Sequence, residues 1–384
     1  MAGCRLVKVA LLSDCYLPRL GGIEVQVHDL ARHLAGAGHA VEVFTATGNG
    51  DPARSSVPTI EDGVRVHRFD LGLPGGVPIN PFAVPEIRRR LRSGGFDVAH
   101  VHMGVVSPFA MDMARVALGI GLPTAVTWHC VIDGSAPVHR ALGYVGRWAE
   151  RGAALSAVST MAAARVNALV SPQHRVAVLH NGIDVDRWRR PAAMADVADG
   201  PFRIVAAQRL TARKRPEALL EVLRRTRALV PATTELHADV VGDGPLRDRL
   251  QRRLASDGVD WIHLPGRLTR TELRDLHWRS HAFVSAAELE SFGIATLEAR
   301  TAGVAVVVRE HTGARDFVAS GVSGLIADSD EGLAVELARL ATAPTLLRKI
   351  QHHNHTVAPA QAWPAVVQST LAEYRRAIAQ RRAP

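Results

Sequence analysis

The chain has 384 residues, 47% hydrophobic and 22% charged, with a formal net charge of +9, a composition that fits a soluble globular protein of two full-cored domains. It excludes a membrane span, which needs roughly 18–20 consecutive apolar residues. Residues 6–12 are too quickly interrupted for a signal segment, and Cys4, Cys15 and Cys130 have neither metal-ligand nor disulfide-framework spacing, so a reducing cytoplasm is the simplest setting.

In chain order, the apolar run 6–12 predicts a strand, and a loop follows through Gly21-Gly22. Ile23, Val27, Leu30, Ala31 and Leu34 then fall at helical spacing, closed by Gly36 and Gly38. Further strands are predicted at 41–44, 64–69, 98–101, 124–128, 155–158 and 176–179. Residues 189–201 have the Pro/Ala/Gly composition of a linker. A second strand–helix series follows, with strands at 203–207, 238–241, 261–264, 282–285 and 305–308. Such alternation argues for α/β architecture with open, mostly parallel sheets covered on both faces. The expected domains are 1–188 and 189–361, and the default ligand site is the cleft between them, beyond the C-terminal strand ends.

The most informative stretch is Glu290-Ser-Phe-Gly-Ile-Ala-Thr-Leu-Glu298. Its downstream half is helical in pattern, with Gly293 at the mouth. A helix mouth offers N–H groups and a positive dipole end, which suit a phosphate. Glu290 falls in the preceding loop and Glu298 more than a turn inside the helix, so the two carboxylates can reach opposite sides of a bound diphosphate. Arg209 and Lys214, on the loop after the first strand of the second half, can neutralise that charge as a leaving group departs. Arg213 and Arg215 crowd the same loop, and charge alone does not choose among them. Gly21-Gly22 opens a helix and allows close backbone approach to a phosphate. Gly242-Asp-Gly-Pro245 reads as a structural turn, because Asp243 has no partner acid at metal-binding spacing. His100 and His102 point to one strand face as core or rim histidines. His129, ending the next strand, is the one expected to touch substrate. His352, His353 and His355 read as solvated. No metal site is expected, since these histidines lack a remaining ligand set.

Together, in order and spacing, these motifs resemble those of glycosyltransferase family 4 enzymes of the GT-B fold over nearly the whole chain. The residues carrying the resemblance are Gly21-Gly22 with its helix to Gly38-His39, Asp97-Val-Ala-His-Val-His102, Thr127-Trp-His129, Asn181-Gly-Ile-Asp184, Arg209 with Lys214, Gly242-Asp-Gly-Pro245, and the Glu290–Glu298 segment. The resemblance implies two facing Rossmann-like domains with the donor cleft between them. It also implies retaining transfer of a hexosyl group from a GDP- or UDP-sugar to an acceptor hydroxyl, with no metal or cofactor. By motif, Arg209 and Lys214 would bind the donor diphosphate, Glu290 the sugar hydroxyls and Glu298 the ribose. Backbone amides of Phe292, Gly293 and Ile294 would touch sugar and phosphates, Gly22 would lie against the diphosphate, and His129 would sit near the transferring sugar. Glu290, His129, Arg209 and Lys214 form the expected catalytic set. The last helix, 362–384, would return to the first domain.

Departures from the family pattern are Arg300 for a common methionine, Ala305 and His180 for frequent prolines, and Gly313-Ala-Arg-Asp316 for a paired glycine and a glutamate. Only the last bears on the sugar side. Retention by double displacement needs a carboxylate nucleophile; Glu290 is implied in sugar binding instead, which favours front-face substitution. Mannose is favoured by analogy, and the acceptor is a polyol, glycan or lipid-linked molecule. A nicotinamide enzyme would want Gly-x-Gly-x-x-Gly after the first strand, which is missing. A non-catalytic sugar-nucleotide-binding subunit is the alternative. No charge block suits nucleic acid. Arg88-Arg-Arg-Leu-Arg92, following Phe82, Val84 and Ile87, suggests peripheral contact with anionic membrane on the cytoplasmic face.

Overall fold

The computed structural model describes residues 6–19, 21–49, 57–73, 77–132, 140–192 and 200–382. The chain divides into two compact units, Met1–Gly182 with Trp363–Pro384, and Ile183–Ala362. The expected boundary after 188 falls at the end of a short helix, Val185–Trp188, that lies within the second unit.

In the first unit the described strands are β1 (Lys8–Ser13), β2 (Ala40–Thr45), β3 (Thr59–Glu61), β4 (Val64–Arg68), β5 (Val98–Met103), β6 (Thr124–Trp128), β7 (Ala154–Ala157) and β8 (Ala177–Val178). They form one sheet in the order β3-β4-β2-β1-β5-β6-β7-β8. All pairs are parallel except β3 with β4. The continuous apolar run of β1 reflects burial on both faces. Ala10 and Leu12 join a core with Phe109, Ala110 and Met113 of the helix Pro108–Gly119. Val9 and Leu11 join another with Trp363, Val366, Leu371 and Tyr374 of the terminal helix Trp363–Arg382.

The second unit carries β9 (Phe202–Ala207), β10 (Leu236–Val241), β11 (Ile262–Gly266), β12 (Ala282–Val284), β13 (Ala305–Arg309) and β14 (Gly324–Ala327), in the order β11-β10-β9-β12-β13-β14. All described pairs are parallel. In sequence terms this is 3-2-1-4-5-6, a doubly wound Rossmann-like order. The direction of winding reverses at β1, between β2 and β5, and at β9, between β10 and β12. Open α/β sheets bind ligands outside the strand ends at such switch points. The loops after β9 and β12 are therefore the place to look in this unit.

Two strands escape the sequence reading. β3 is a three-residue edge strand, joined to β4 through Asp62 (φ 47°) and Gly63 (φ 80°). That Asp-Gly pair is a hairpin signal, since both central residues take positive φ. β14 begins at Gly324, where a Cβ would stand 2.4 Å from the Val306 carbonyl oxygen, and its four residues are too few for a period.

Candidate donor site

In the second unit, the loop after β9 is shaped by its glycine neighbours. A Cβ on Gly242 would meet the Gln208 carbonyl oxygen at 1.9 Å, and one on Gly244 the Leu210 oxygen at 2.6 Å. The Gly242–Pro245 turn thus lies flat against the strand end carrying Arg209, and Leu210 N–H donates to the Asp243 carbonyl at 2.9 Å. Arg209 itself is exposed. Beyond it the chain forms a 3-10 turn, Ala212–Lys214, which Arg215 ends in the left-handed conformation (φ 52°). Pro216 follows directly and opens the helix Pro216–Leu229, which disfavours right-handed helical geometry at Arg215 without itself selecting the left-handed one. A non-glycine residue held there costs about 1–2 kcal/mol.

Lys214 emerges from this turn and donates from Nζ to Glu290 Oε2 at 2.5 Å. Both side chains are partly exposed, 27% and 21%, so the pair is accessible to a ligand rather than sealed in the core. Arg213 is exposed, whereas Arg215 turns away to Asp330, Glu288 and the Ala286 carbonyl. Geometry thus separates Lys214, on Glu290, from its neighbour Arg215, which charge left equivalent.

The Glu290 loop is held from behind. Gly313 N–H donates to the Glu290 carbonyl at 2.8 Å, and a Cβ on Gly313 would lie 2.0 Å from the Ser291 oxygen. The departure segment Gly313–Asp316 therefore packs directly on the loop that carries Glu290. Gly293 precedes the helix Ile294–Thr301 with φ 92°, a backbone that favours glycine. Phe292 is buried and packs at a ring centroid distance of 5.3 Å from Phe317. Ile294 is half-buried and Glu298 is buried one turn farther on. Seven expected residues, Arg209, Lys214, Glu290, Phe292, Gly293, Ile294 and Glu298, therefore belong to loops and one helix mouth at the β9/β12 switch point.

Gly22 and His129 belong to the first unit. Gly22 is exposed at the start of the helix Gly22–Gly36, just past β1. His129 follows β6, and its Nε2 lies 2.9 Å from His102 Nδ1. His100 contacts the Tyr374 hydroxyl at 3.0 Å and Thr127 Oγ1 at 2.7 Å. His100 is thus a satisfied core histidine, whereas His102 joins a chain leading to His129. A water-sized cavity of about 20 Å³ lies among Gln26, His100, His102, His129 and Asn181. Asp14, unremarked in the sequence, is buried at the end of β1 and accepts from Phe109 N–H at 2.9 Å, fixing the helix Pro108–Gly119.

Burial lowers the His129 pKa to about 4 and that of His100 to about 3, and His102 also lies well below the ordinary value of 6.5. The folded protein thus refuses protons that the unfolded chain accepts. Stability from these groups is present above pH 6.5 and lost as pH falls towards 4. Asp14 opposes them: burial raises it from 3.8 to about 7, so its contribution is full below 3.8 and lost as pH rises through 7. With these three imidazoles, and His277 and His281 lowered by burial in the same way, set against the Asp14 carboxyl, the heat-unfolding midpoint is expected to fall between about pH 7 and pH 4.5. A midpoint that holds or rises over that interval contradicts the neutral-imidazole assignment.

Residues 20–187 match the model of Glycosyltransferase Family 4, and residues 193–354 that of Glycosyl transferases group 1. Among curated relatives, the GDP-mannose-dependent alpha-mannosyltransferase of Mycolicibacterium smegmatis is 26% identical over 98% of this chain and 99% of its own. Glycogen synthase of Mycobacterium tuberculosis is 28% identical over 83% and 82%. Among solved structures, Anabaena Alr3699/HepE in complex with UDP and glucose matches with a TM-score of 0.73 at 17% identity, covering 95% of this chain and 98% of that one. Sucrose-phosphate synthase from Thermosynechococcus elongatus matches with a TM-score of 0.72 at 18% identity, covering 98% and 100%.

Proposed function

Since the chain belongs to glycosyltransferase family 4, we propose that its nucleotide-sugar substrate is GDP-mannose and that the mannosyl group is transferred with retention and without a metal ion. The observation that supports a sugar diphosphate as the ligand is the Lys214–Glu290 contact before the helix Ile294–Thr301. Cation, carboxylate and helix N-terminus supply what a sugar diphosphate needs: charge neutralisation, a partner for sugar hydroxyls, and N–H donors. Arg209 and Lys214 bind the diphosphate, Glu290 the sugar hydroxyls and Glu298 the ribose. The amides of Phe292, Gly293 and Ile294 line the phosphates. Gly22 and His129 serve the same reaction from the first unit, His129 as a neutral imidazole. The mannosyl choice is supported by the relatives whose names specify GDP-mannose.

The bond from the anomeric carbon to the diphosphate oxygen breaks as the acceptor oxygen bonds to the same face. The acceptor proton passes to the departing phosphate oxygen, and Arg209 and Lys214 stabilise the charge that grows there. With fixed cations and a helix mouth in place, a divalent ion has no vacant role. Among the described residues no three His, Cys, Asp or Glu side chains converge as metal ligands. Acceptor-dependent GDP release from GDP-mannose is expected to continue at full rate in excess EDTA. Loss in EDTA with recovery on adding Mg²⁺ or Mn²⁺ would refute metal independence.

The acceptor is proposed to be lipid-linked and met at an anionic membrane surface. No described helix is long and apolar enough to cross a membrane. Phe82 is 80% exposed beside the helix Val84–Ser93, and Leu71, Leu73, Val77 and Ile79 are exposed on the segment leading to it. On that helix Glu86 pairs with both Arg89 and Arg90, and Arg90 also contacts His67 Nδ1 at 2.6 Å. Arg88 and Arg92 are the exposed cations best placed for lipid, each worth about 1 kcal/mol near an anionic surface. The protein is expected to float with phosphatidylglycerol vesicles at low salt but not with phosphatidylcholine vesicles. Arg88→Glu with Arg92→Glu should abolish flotation. Unchanged flotation of that variant, or none by the parent protein, would remove the membrane from the account.

A further inference from the structure

We infer that Arg215, Asp330, Arg309 and Glu288 form a clamp that positions Lys214 against Glu290, with Arg215 its central positioning residue. The inference rests on the donor-site reading above and extends it to residues that touch neither sugar nor phosphate. Arg215 Nη1 and Nη2 straddle the Asp330 carboxylate at 3.0 and 2.7 Å. Its Nη1 also donates to the Ala286 carbonyl at 3.0 Å and lies 3.1 Å from Glu288 Oε1. Arg309, at the end of β13, reaches the same Asp330 at 2.6 Å and the same Glu288 at 3.4 Å. Two arginines and two carboxylates thereby tie the loop after β9 to the loop after β12.

Those are the loops that carry Lys214 and Glu290. Lys214 immediately precedes Arg215, and Glu290 lies two residues beyond Glu288. A flexible lysine is a point charge on a long stem, so its position depends on where its backbone is held. Asp330 opens the helix Asp330–Thr342, where the Ser329 side chain caps the Gly332 N–H and the N-terminal dipole favours the carboxylate that Arg215 grips. Arg215 itself keeps a left-handed backbone that glycine would adopt freely. Backbone strain that persists at a site is retained where the surroundings hold it in place, and here the bidentate pair does so.

Glycine at this position keeps the turn and deletes the clamp, so Arg215→Gly is the informative variant. Asp330→Asn removes the clamp's anchor with little change in shape and guards against a misfolded first variant. Donor kcat/KM and the heat-unfolding midpoint should be measured for both, for Lys214→Ala, for Arg215→Lys, and for the double variant Lys214→Ala with Arg215→Gly. Arg215→Gly and Asp330→Asn are expected to lose about tenfold or more in kcat/KM, comparable to a misplaced electrostatic contact. Arg215→Lys should recover only part, because it lacks the planar fork. The double variant should be no slower than Lys214→Ala alone, since Arg215 acts through Lys214. Parent-level kcat/KM in Arg215→Gly, or losses that multiply in the double variant, would overturn the clamp while leaving the donor site standing. If Lys214→Ala itself turns over normally, the donor-site reading falls and the clamp falls with it.

Discussion

Lys214→Ala and Arg209→Ala are each expected to slow turnover by about 10²–10³-fold with the fold intact, the effect of removing one preorganised contact to a developing negative charge (about 2.7–4 kcal/mol). Lys214 is partly exposed and bonded to Glu290, so its removal opens no buried cavity. The loss should fall on kcat more than on donor KM, because charge on the diphosphate grows as the glycosidic bond breaks. Steady-state kinetics with unfolding midpoints measured in parallel checks both halves of this expectation. Near-parent kcat in both variants would sink the assignment of these cations to the diphosphate.

Gly313→Ala is expected to disable the site by displacing the loop that bears Glu290. The added Cβ would stand 2.0 Å from the Ser291 oxygen, 2.5 Å from its carbon and 2.7 Å from Phe292 Cα, all backbone atoms that cannot rotate aside. Overpacking of this kind costs about 1–3 kcal/mol, and about 2–4 °C of Tm accompanies each kcal/mol in a domain of this size. Activity should suffer more than stability, since Gly313 N–H also holds the Glu290 carbonyl. Gly36→Ala is the matched control: it lies in the helix Gly22–Gly36 with nothing within 4 Å of its added Cβ. A Gly313→Ala enzyme with normal activity would show that the loop yields without moving Glu290.

Much of the fold is readable in the sequence because its cues are local. An apolar run such as 6–12 announces a strand buried on both faces, and the 3.6-residue period from Ile23 to Leu34 announces the helix beside it. The same holds for Gly293, whose place at the mouth of a helix is legible, although its left-handed backbone (φ 92°) is not. What the sequence hides is pairing across distance. Lys214 meets Glu290 from 76 residues away and Arg215 meets Asp330 from 115, so charge alone could not say which of three neighbouring cations served the site. Arg90 shows the same limit: in sequence it belongs to a basic run offered to lipid, whereas in the fold it turns to Glu86 and His67. Asp14 gives no local sign of its role, because the N–H groups it accepts lie on a helix 95 residues ahead.

Acceptor-dependent release of nucleoside diphosphate, scored across a panel of GDP-mannose, UDP-glucose and UDP-N-acetylglucosamine with lipid extract or polyols as acceptors, tests the central claim most directly. The expected result is GDP release from GDP-mannose in the presence of EDTA, with a product whose one-bond C1–H1 coupling in NMR matches the α configuration of the donor. Release from UDP-sugars alone would contradict the mannosyl assignment, an inverted product would contradict front-face transfer, and silence across the panel from protein that still binds GDP would contradict catalysis itself.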